Sequence, residues 1–209
     1  MESAPTLSIS LEHQVDAYVR ADYPGLAGLD ETAFRALAAP FVDIAADRPD
    51  ALLVVTRALV DDEARVPLLR LAGSDRPGIL DKNHASDARA GLSHYVPRAG
   101  VEVPDAPLYL LVGVERGDEY RDVSPAEALA AITARGRTPL TIDEGLSLVT
   151  VAPELLVKNH CFSLAGSTRG DKRVPALWIS EGAPKLGWCF DRVPHTWLGL
   201  ASARERVGV

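Results

Sequence analysis

Cys189, Asp191 and His195 fall close together inside LGWCFDRVPHTWLG, residues 186–199. A thiol, a carboxylate and an imidazole are the parts of a nucleophilic site, in which the carboxylate orients the ring and the ring takes the thiol's proton. Asp191 lies four residues before His195, across a Pro-His-Thr turn, and at that spacing it can fix the imidazole tautomer. Cys189 is then the candidate thiolate. The competing reading is a small buried cysteine and a hydrogen-bonded surface histidine, because residues six apart on one hairpin need not face each other. The same stretch carries Trp188 and Trp197, with Trp178 just upstream. Three indoles so spaced can fill a sheet core or line a cleft; most of the cluster is expected to be core, with a minority at a cleft. If the last two strands pair, Gly187 and Gly199 leave a floor without side chains beside Cys189 and Trp197.

Charge supplies a second candidate. AGSTRGDKR, residues 165–173, offers Arg169, Lys172 and Arg173 with turn amides that could hold an anion, against the alternative of a charged hairpin turn. Its glycines are too closely spaced for a Walker loop, and a strand rather than a helix follows. From Val151 onward eight basic residues face five acidic ones, +3, so the remainder carries −10 of the overall −7. The two segments are expected to pack together and neutralise each other, or else the basic one forms a pocket for a small anionic ligand.

Other chemistry is weaker. His160, Cys161, Cys189 and His195 make a Cys2His2 set on paper, but an adjacent His-Cys and a C-x5-H pair fit zinc poorly, so no metal is expected. Gly-x-Gly-x-x-Gly, His-Glu-x-x-His and Gly-x-Ser-x-Gly are absent, and no cofactor is expected. In RGRTPLTIDEG, Asp143 and Glu144 read as helix-start residues, and the alternative pairs Asp143 with Arg137 or His195.

These residues need elements to hold them. LEHQVDAYVRADY has helical spacing and should stop at Pro24-Gly25; the first eight or so residues read as a frayed end. A second helix starts at Asp30 and is divided by Pro40, which allows a small helical hairpin. LLVVTRALV, VPLLRLAG and PLYLLVGVE read as strands, with Gly73 to His94 a surface loop. Ser124-Pro-Ala-Glu127 and Thr141-Ile-Asp-Glu144 are capping boxes opening two helices, the first closed by Gly136 and the second kinked or split at Pro153. CFSLAGS, VPALWIS, PKLGWCF and HTWLGLAS are short, apolar and separated by turn residues. The chain therefore reads as α+β: N-terminal helices, mixed central strands and helices, and a C-terminal antiparallel β-meander. Residues 1–209 suit a single domain, with 1–48 able to form a helical extension.

VPDAPLYLLVGVERGDEY, RGRTPLTIDEGLSL, GDKRVPALWIS and PKLGWCFD..PHTWLG together give the chain the look of a known set of sequences. On these blocks, from about Val101 to Arg204, it resembles an uncharacterised bacterial domain-of-unknown-function family. The resemblance implies no known activity and brings no functional residues with it. In that family's pattern a second tryptophan follows the LGWC cysteine and an asparagine precedes the Pro-His; here Phe190 and Val193 stand in those places.

Composition bounds the partners. Hydrophobic residues at 47% support a sizeable core, and a net charge of −7 disfavours nucleic acid and anionic membranes. The start MESAPTLSIS lacks a signal-peptide pattern, no apolar run is long enough to span a membrane, and two cysteines make no disulfide framework. A cytoplasmic protein with free thiols is expected, and the sequence carries no signal of oligomeric state. The functional expectation is a cofactor-independent small-molecule enzyme or ligand-binding protein, with a polar cleft on the C-terminal sheet around Cys189, Asp191, His195 and Arg169. The alternative is a non-enzymatic protein-interaction module.

Overall fold

The Ser10 hydroxyl accepts the His13 amide and opens α1 (Leu11–Arg20), whose Val15 and Tyr18 turn inward. This helix and all that follows are seen in a computed structural model, which describes residues 7–85 and 91–209. Residues 1–6 of the expected frayed end and 86–90 of the expected surface loop lie outside the described residues, whereas Leu7 is buried. Pro24 and Gly25 do not close the helical region. They sit in a further turn, α2 (Tyr23–Leu26), entered through Asp22 at φ 62°. Asp30 caps α3 (Glu31–Ala38), and Pro40 separates it from α4 (Val42–Ala46), as the sequence indicates. The Tyr18 ring lies 4.8 Å from Tyr23 and 6.3 Å from Phe34, which closes the helical hairpin. Gln14 donates to the Ala51 carbonyl and accepts the Leu53 amide, and this pairing fastens α1 to β1 (Ala51–Val55).

The strand read in LLVVTRALV stops at Val55, after which Asp61 caps α5 (Asp62–Arg65). VPLLRLAG is not a strand. Val66–Leu68 continues as a tight helical turn around Pro67, whose missing N–H suits a helix start better than a ladder, and it buries Val66. The expected loop from Gly73 also carries structure: β2 (Ile79–Leu80) and α6 (Lys82–Ala85). After β3 (Val96–Pro97), β4 (Leu108–Val112) pairs antiparallel with β1, and both strands are wholly buried. α7 (Pro125–Ala134), β5 (Thr138–Pro139) and α8 (Ile142–Val151) follow, each helix opened by its complete capping box.

The C-terminal strands are β6 (Cys161–Ser163), β7 (Ser167–Thr168), β8 (Arg173–Ser180) and β9 (Ala183–Phe190). β8 and β9 turn through Glu181 and Gly182, both at positive φ, the backbone that a two-residue hairpin requires. β6, β8 and β9 run antiparallel as expected, but the fourth strand departs from a meander. β10 (Leu198–Leu200) crosses back and pairs parallel with β6, giving the order β10-β6-β8-β9-β2. Two hydrogen bonds hold the crossing segment: the Asp122 amide donates to the His195 carbonyl, and the Ala126 amide to that of Asp191. β11 (Ser202–Ala203) then joins β5, and β12 (Glu205–Val207) joins β4, completing a second sheet, β1-β4-β12. The fold is α+β.

Because β10 does not lie beside β9, Gly187 and Gly199 form no common floor. Gly187 opposes Ala176 and Gly199 opposes Phe162. A β-carbon at 187 would overlap the Trp178 ring, and one at 199 would overlap the Gly117 carbonyl, so each glycine makes room for a neighbour.

The first turn of α8 ties the layers together. Arg65, fully buried, donates to the Asp143 carboxylate at 3.0 Å and to its carbonyl at 3.0 Å. Arg57 Nη2 lies 2.7 Å from Asp62 and its Nε 3.6 Å from Asp143. Glu144 accepts Tyr109 at 2.7 Å, Arg206 at 2.6 and 2.9 Å, and the Thr141 amide at 2.7 Å. Asp143 therefore pairs with neither Arg137 nor His195; Arg137 bonds Ser202 and lies 3.1 Å from Glu115. Arg206–Glu144, Arg204–Asp50 and Lys185–Asp81 join the basic C-terminal segment to acids of the first 150 residues.

Two stability predictions follow from this arrangement. Gly187→Ala should lower unfolding free energy by about 1–3 kcal/mol, because the Trp178 ring must move aside; a urea melt followed by indole fluorescence measures both effects. Burial pushes the Asp62 carboxyl up to about 7 against the pull of Arg65. The folded chain then holds a proton that the unfolded chain has released, so this contribution favours folding at low pH and is lost as pH rises through about 7. Asp62→Asn should accordingly gain on the parent in urea midpoint between about pH 5 and pH 8, and a difference that stays constant across this range would mean that native Asp62 is ionised throughout.

Candidate functional site

β8, β9 and the segment leading into β10 build a groove of about 340 Å³ walled by aromatic side chains. Alternation along β8 and β9 sends side chains to both faces, and Gly187 leaves space for the Trp178 indole to lie across β9. Trp178 meets Trp197 edge-on at 6.2 Å, the His195 ring tilts against Trp197 at 5.2 Å, and Trp188 meets Phe190 at 5.0 Å. The three indoles, read mainly as core, are all half-buried; Trp178 and Trp197 rest on the core with one edge toward the groove. Phe190 and Val193 stand on the rim, 49% and 43% exposed. Two cations lie over ring faces: Arg173 4.8 Å from the Trp188 centroid, and Lys185 5.7 Å from that of Trp178.

Cys189, His195 and Trp197 thus line one groove, but the thiol, carboxylate and imidazole are not linked in series. The Cys189 sulfur lies 3.6 Å from the Ser163 hydroxyl, and burial raises its pKa, which favours the neutral thiol. Asp191 donates its amide to the Lys172 carbonyl, and its Oδ1 is buried with no hydrogen-bond partner among the described residues. His195 lies against an indole rather than a carboxylate, since the chain between them turns away over the start of α7.

The basic loop carries its own counter-ion. Arg169 lies 3.3 Å and Arg173 3.8 Å from the Asp171 carboxylate, and Arg169 is packed over Tyr95 at 5.8 Å. Lys172 is exposed. Of the three basic residues, Arg173 is the one stacked on a groove-lining ring. His160 has a different partner from those of the paper zinc set: its Nδ1 lies 3.1 Å from Asp118. Burial raises the Asp118 pKa, but hydrogen bonds from Arg116 outweigh this and hold the carboxyl below its ordinary range. Cys161 donates to the Val157 carbonyl, and both thiols are free and buried. Among the described residues no three His, Cys, Asp or Glu side chains converge as a metal site.

Sequence reasoning missed Arg57, Asp62 and Arg65. With Asp143 they form the ion network beside a second cavity of about 290 Å³, which Arg57 and Asp143 line. The available signal was an arginine two residues past a wholly apolar strand, in LLVVTR, followed by the acidic helix start DDEAR. No local pattern, however, says that these charges meet Asp143.

No curated protein and no solved structure matches the chain. Among the described residues, no helix is long and apolar enough to cross a membrane. The resemblance carried by the blocks after Val101 extends well into the N-terminal helices, because a family model described as a family of unknown function, DUF5701, matches residues 17–209. The chain belongs to the DUF5701 family.

Proposed function

We propose that the protein is a small-molecule-binding protein whose groove on the C-terminal sheet takes a flat aromatic ligand bearing an anionic group. The observation that carries the reading is the set of half-buried rings, Trp178, Trp188, His195 and Trp197, with exposed Phe190 at the rim, around a space of about 340 Å³. Edge and face contacts with such rings add about 0.5–1.5 kcal/mol per pair beyond area burial. Arg173 and Lys185 lie over ring faces, each shared with an acid (Asp171 at 3.8 Å, Asp81 at 2.9 Å), and supply N–H donors that suit an anionic substituent. This revises the polar cleft read from the sequence into an aromatic one with cations at its edge. A neutral, buried Cys189 supports binding over thiolate chemistry. The reading includes a bacterial, cytoplasmic setting, supported by two unpaired thiols and by the family blocks. A net charge of −7 supports a ligand other than nucleic acid.

The second reading, a protein-interaction module, is favoured by one observation: Phe190 and Val193 expose apolar surface side by side on the rim. A titration with naphthalene-2-sulfonate, followed by indole fluorescence and melting temperature, separates the two. Trp197→Ala should weaken the sulfonate by about tenfold or more, some 1.4 kcal/mol. Arg173→Gln should weaken the sulfonate while leaving neutral naphthalene unchanged, and Cys189→Ala should bind as the parent does. Sulfonate binding that ignores Trp197, or no binding by the parent, rules the ligand reading out. Self-association abolished by Phe190→Ser would favour the module instead.

A further inference from the structure

The second cavity lies where β1 ends and α8 begins. Arg57 is the sole lysine or arginine among its lining residues, Val96, Pro97, Val103 and Pro104 supply apolar wall, and Thr141 and Ser167 supply hydroxyls. The position of Arg57 is fixed from behind. Its Nη2 lies 2.7 Å from Asp62, its Nη1 donates to the Tyr95 carbonyl at 2.8 Å, and Asp143 stands 3.6 Å from its Nε. The two carboxylates are nearly enclosed, with side chains 3% and 13% exposed, while Arg57 is 33% exposed. Asp62 therefore sits behind Arg57, while Asp143 and the exposed Asp105 share the cavity wall with it. Arg65, fully buried beyond Asp62 and Asp143, shares both carboxyl groups, so neither belongs to Arg57 alone.

A buried ion network gives little net stability over an apolar replacement, so stability alone is a poor reason to hold a half-exposed guanidinium this firmly. A planar fork with five N–H donors, oriented by carboxylates, is the arrangement that recognises a carboxylate bidentately. Apolar walls require an apolar body on the ligand. Asp105 and Asp143, in the wall with the single lining cation, disfavour multiply charged anions such as phosphate, and a volume of about 290 Å³ suits a small molecule. We propose that this cavity is a second ligand site, which binds a small monocarboxylate by pairing its carboxylate with Arg57 and resting its short apolar body on Val103 and Pro104.

The test uses isovalerate, an aliphatic probe with no ring for the aromatic groove, and inorganic phosphate as the competing anion. Saturation-transfer NMR and melting temperature are read on the full chain, on Arg57→Lys, on Arg57→Gln and on Trp197→Ala. The parent should bind isovalerate and melt higher in its presence. Arg57→Lys, which keeps the charge and loses the fork, should bind about tenfold more weakly, and Arg57→Gln should show no binding. Should Arg57→Gln fail to fold, the lysine variant decides. Trp197→Ala should bind as the parent does, so this site and the aromatic groove stand or fall separately. No isovalerate binding by the parent overturns the proposal, as does binding by the Arg57 variants as tight as the parent's or phosphate binding as tight as that of isovalerate.

Discussion

Two neighbouring carboxylates, Asp143 and Glu144, are buried at the first turn of α8, and much of the molecule is arranged to neutralise them. A helix N-terminus favours acidic side chains through its unpaired amides, but burial removes the water that would otherwise share the charge. Each carboxylate must therefore find cations, and they come from opposite directions. Asp143 takes Arg65 and faces Arg57, from the segment after β1. Glu144 takes Arg206 from the last strand and Tyr109 from β4, while completing its own capping box. Removing one partner would leave a buried charge uncompensated, a loss of about 3–5 kcal/mol where such pairs have been broken. One helix turn thus holds the N-terminal strand, the central strand and the chain's end in place.

The groove depends on a different constraint, the return of β10 to β6. Leu198 opposes Cys161 on one side of β6, and Leu177 opposes Phe162 on the other. Trp178 and Trp197 consequently flank the start of β6 and meet across it. Had β10 followed β9 in a meander, the two indoles would have belonged to separate parts of the sheet. The parallel crossing brings the aromatic residues together, and the same crossing carries His195 away from the Asp191 carboxylate and onto Trp197.

What was legible in the sequence was local. Asp30, the Ser124–Glu127 box and the Thr141–Glu144 box announce helix starts, because the capping partners lie three residues apart. The Glu181–Gly182 turn between two apolar runs announces the β8–β9 hairpin. VPLLRLAG was misleading because a short apolar run does not distinguish a buried strand from a buried helical turn. The partner of β10 is a choice among strands equally apolar, decided by the route of the chain rather than by HTWLGLAS itself. Cys189, Asp191 and His195 are neighbours in sequence, yet they make their hydrogen bonds and ring contacts elsewhere. The pairing that does form, Arg65 with Asp143, spans 78 positions and leaves no periodic trace.

Counting charges would rank Arg169, Lys172 and Arg173 above Arg57 as a place for an anion. Charge count is not the whole of it: what a cation offers a ligand depends also on where its own counter-ion sits. Asp171 lies in the same loop as Arg169 and Arg173, is exposed, and draws on both from the solvent side. Arg65 is enclosed by Asp62 and Asp143 and has no face left to present, which makes it structural. Arg57 has Asp62 behind it, Asp143 beside it in the wall, and open cavity in front. Two arginines eight positions apart, sharing the same two aspartates, are thereby given different roles by burial alone.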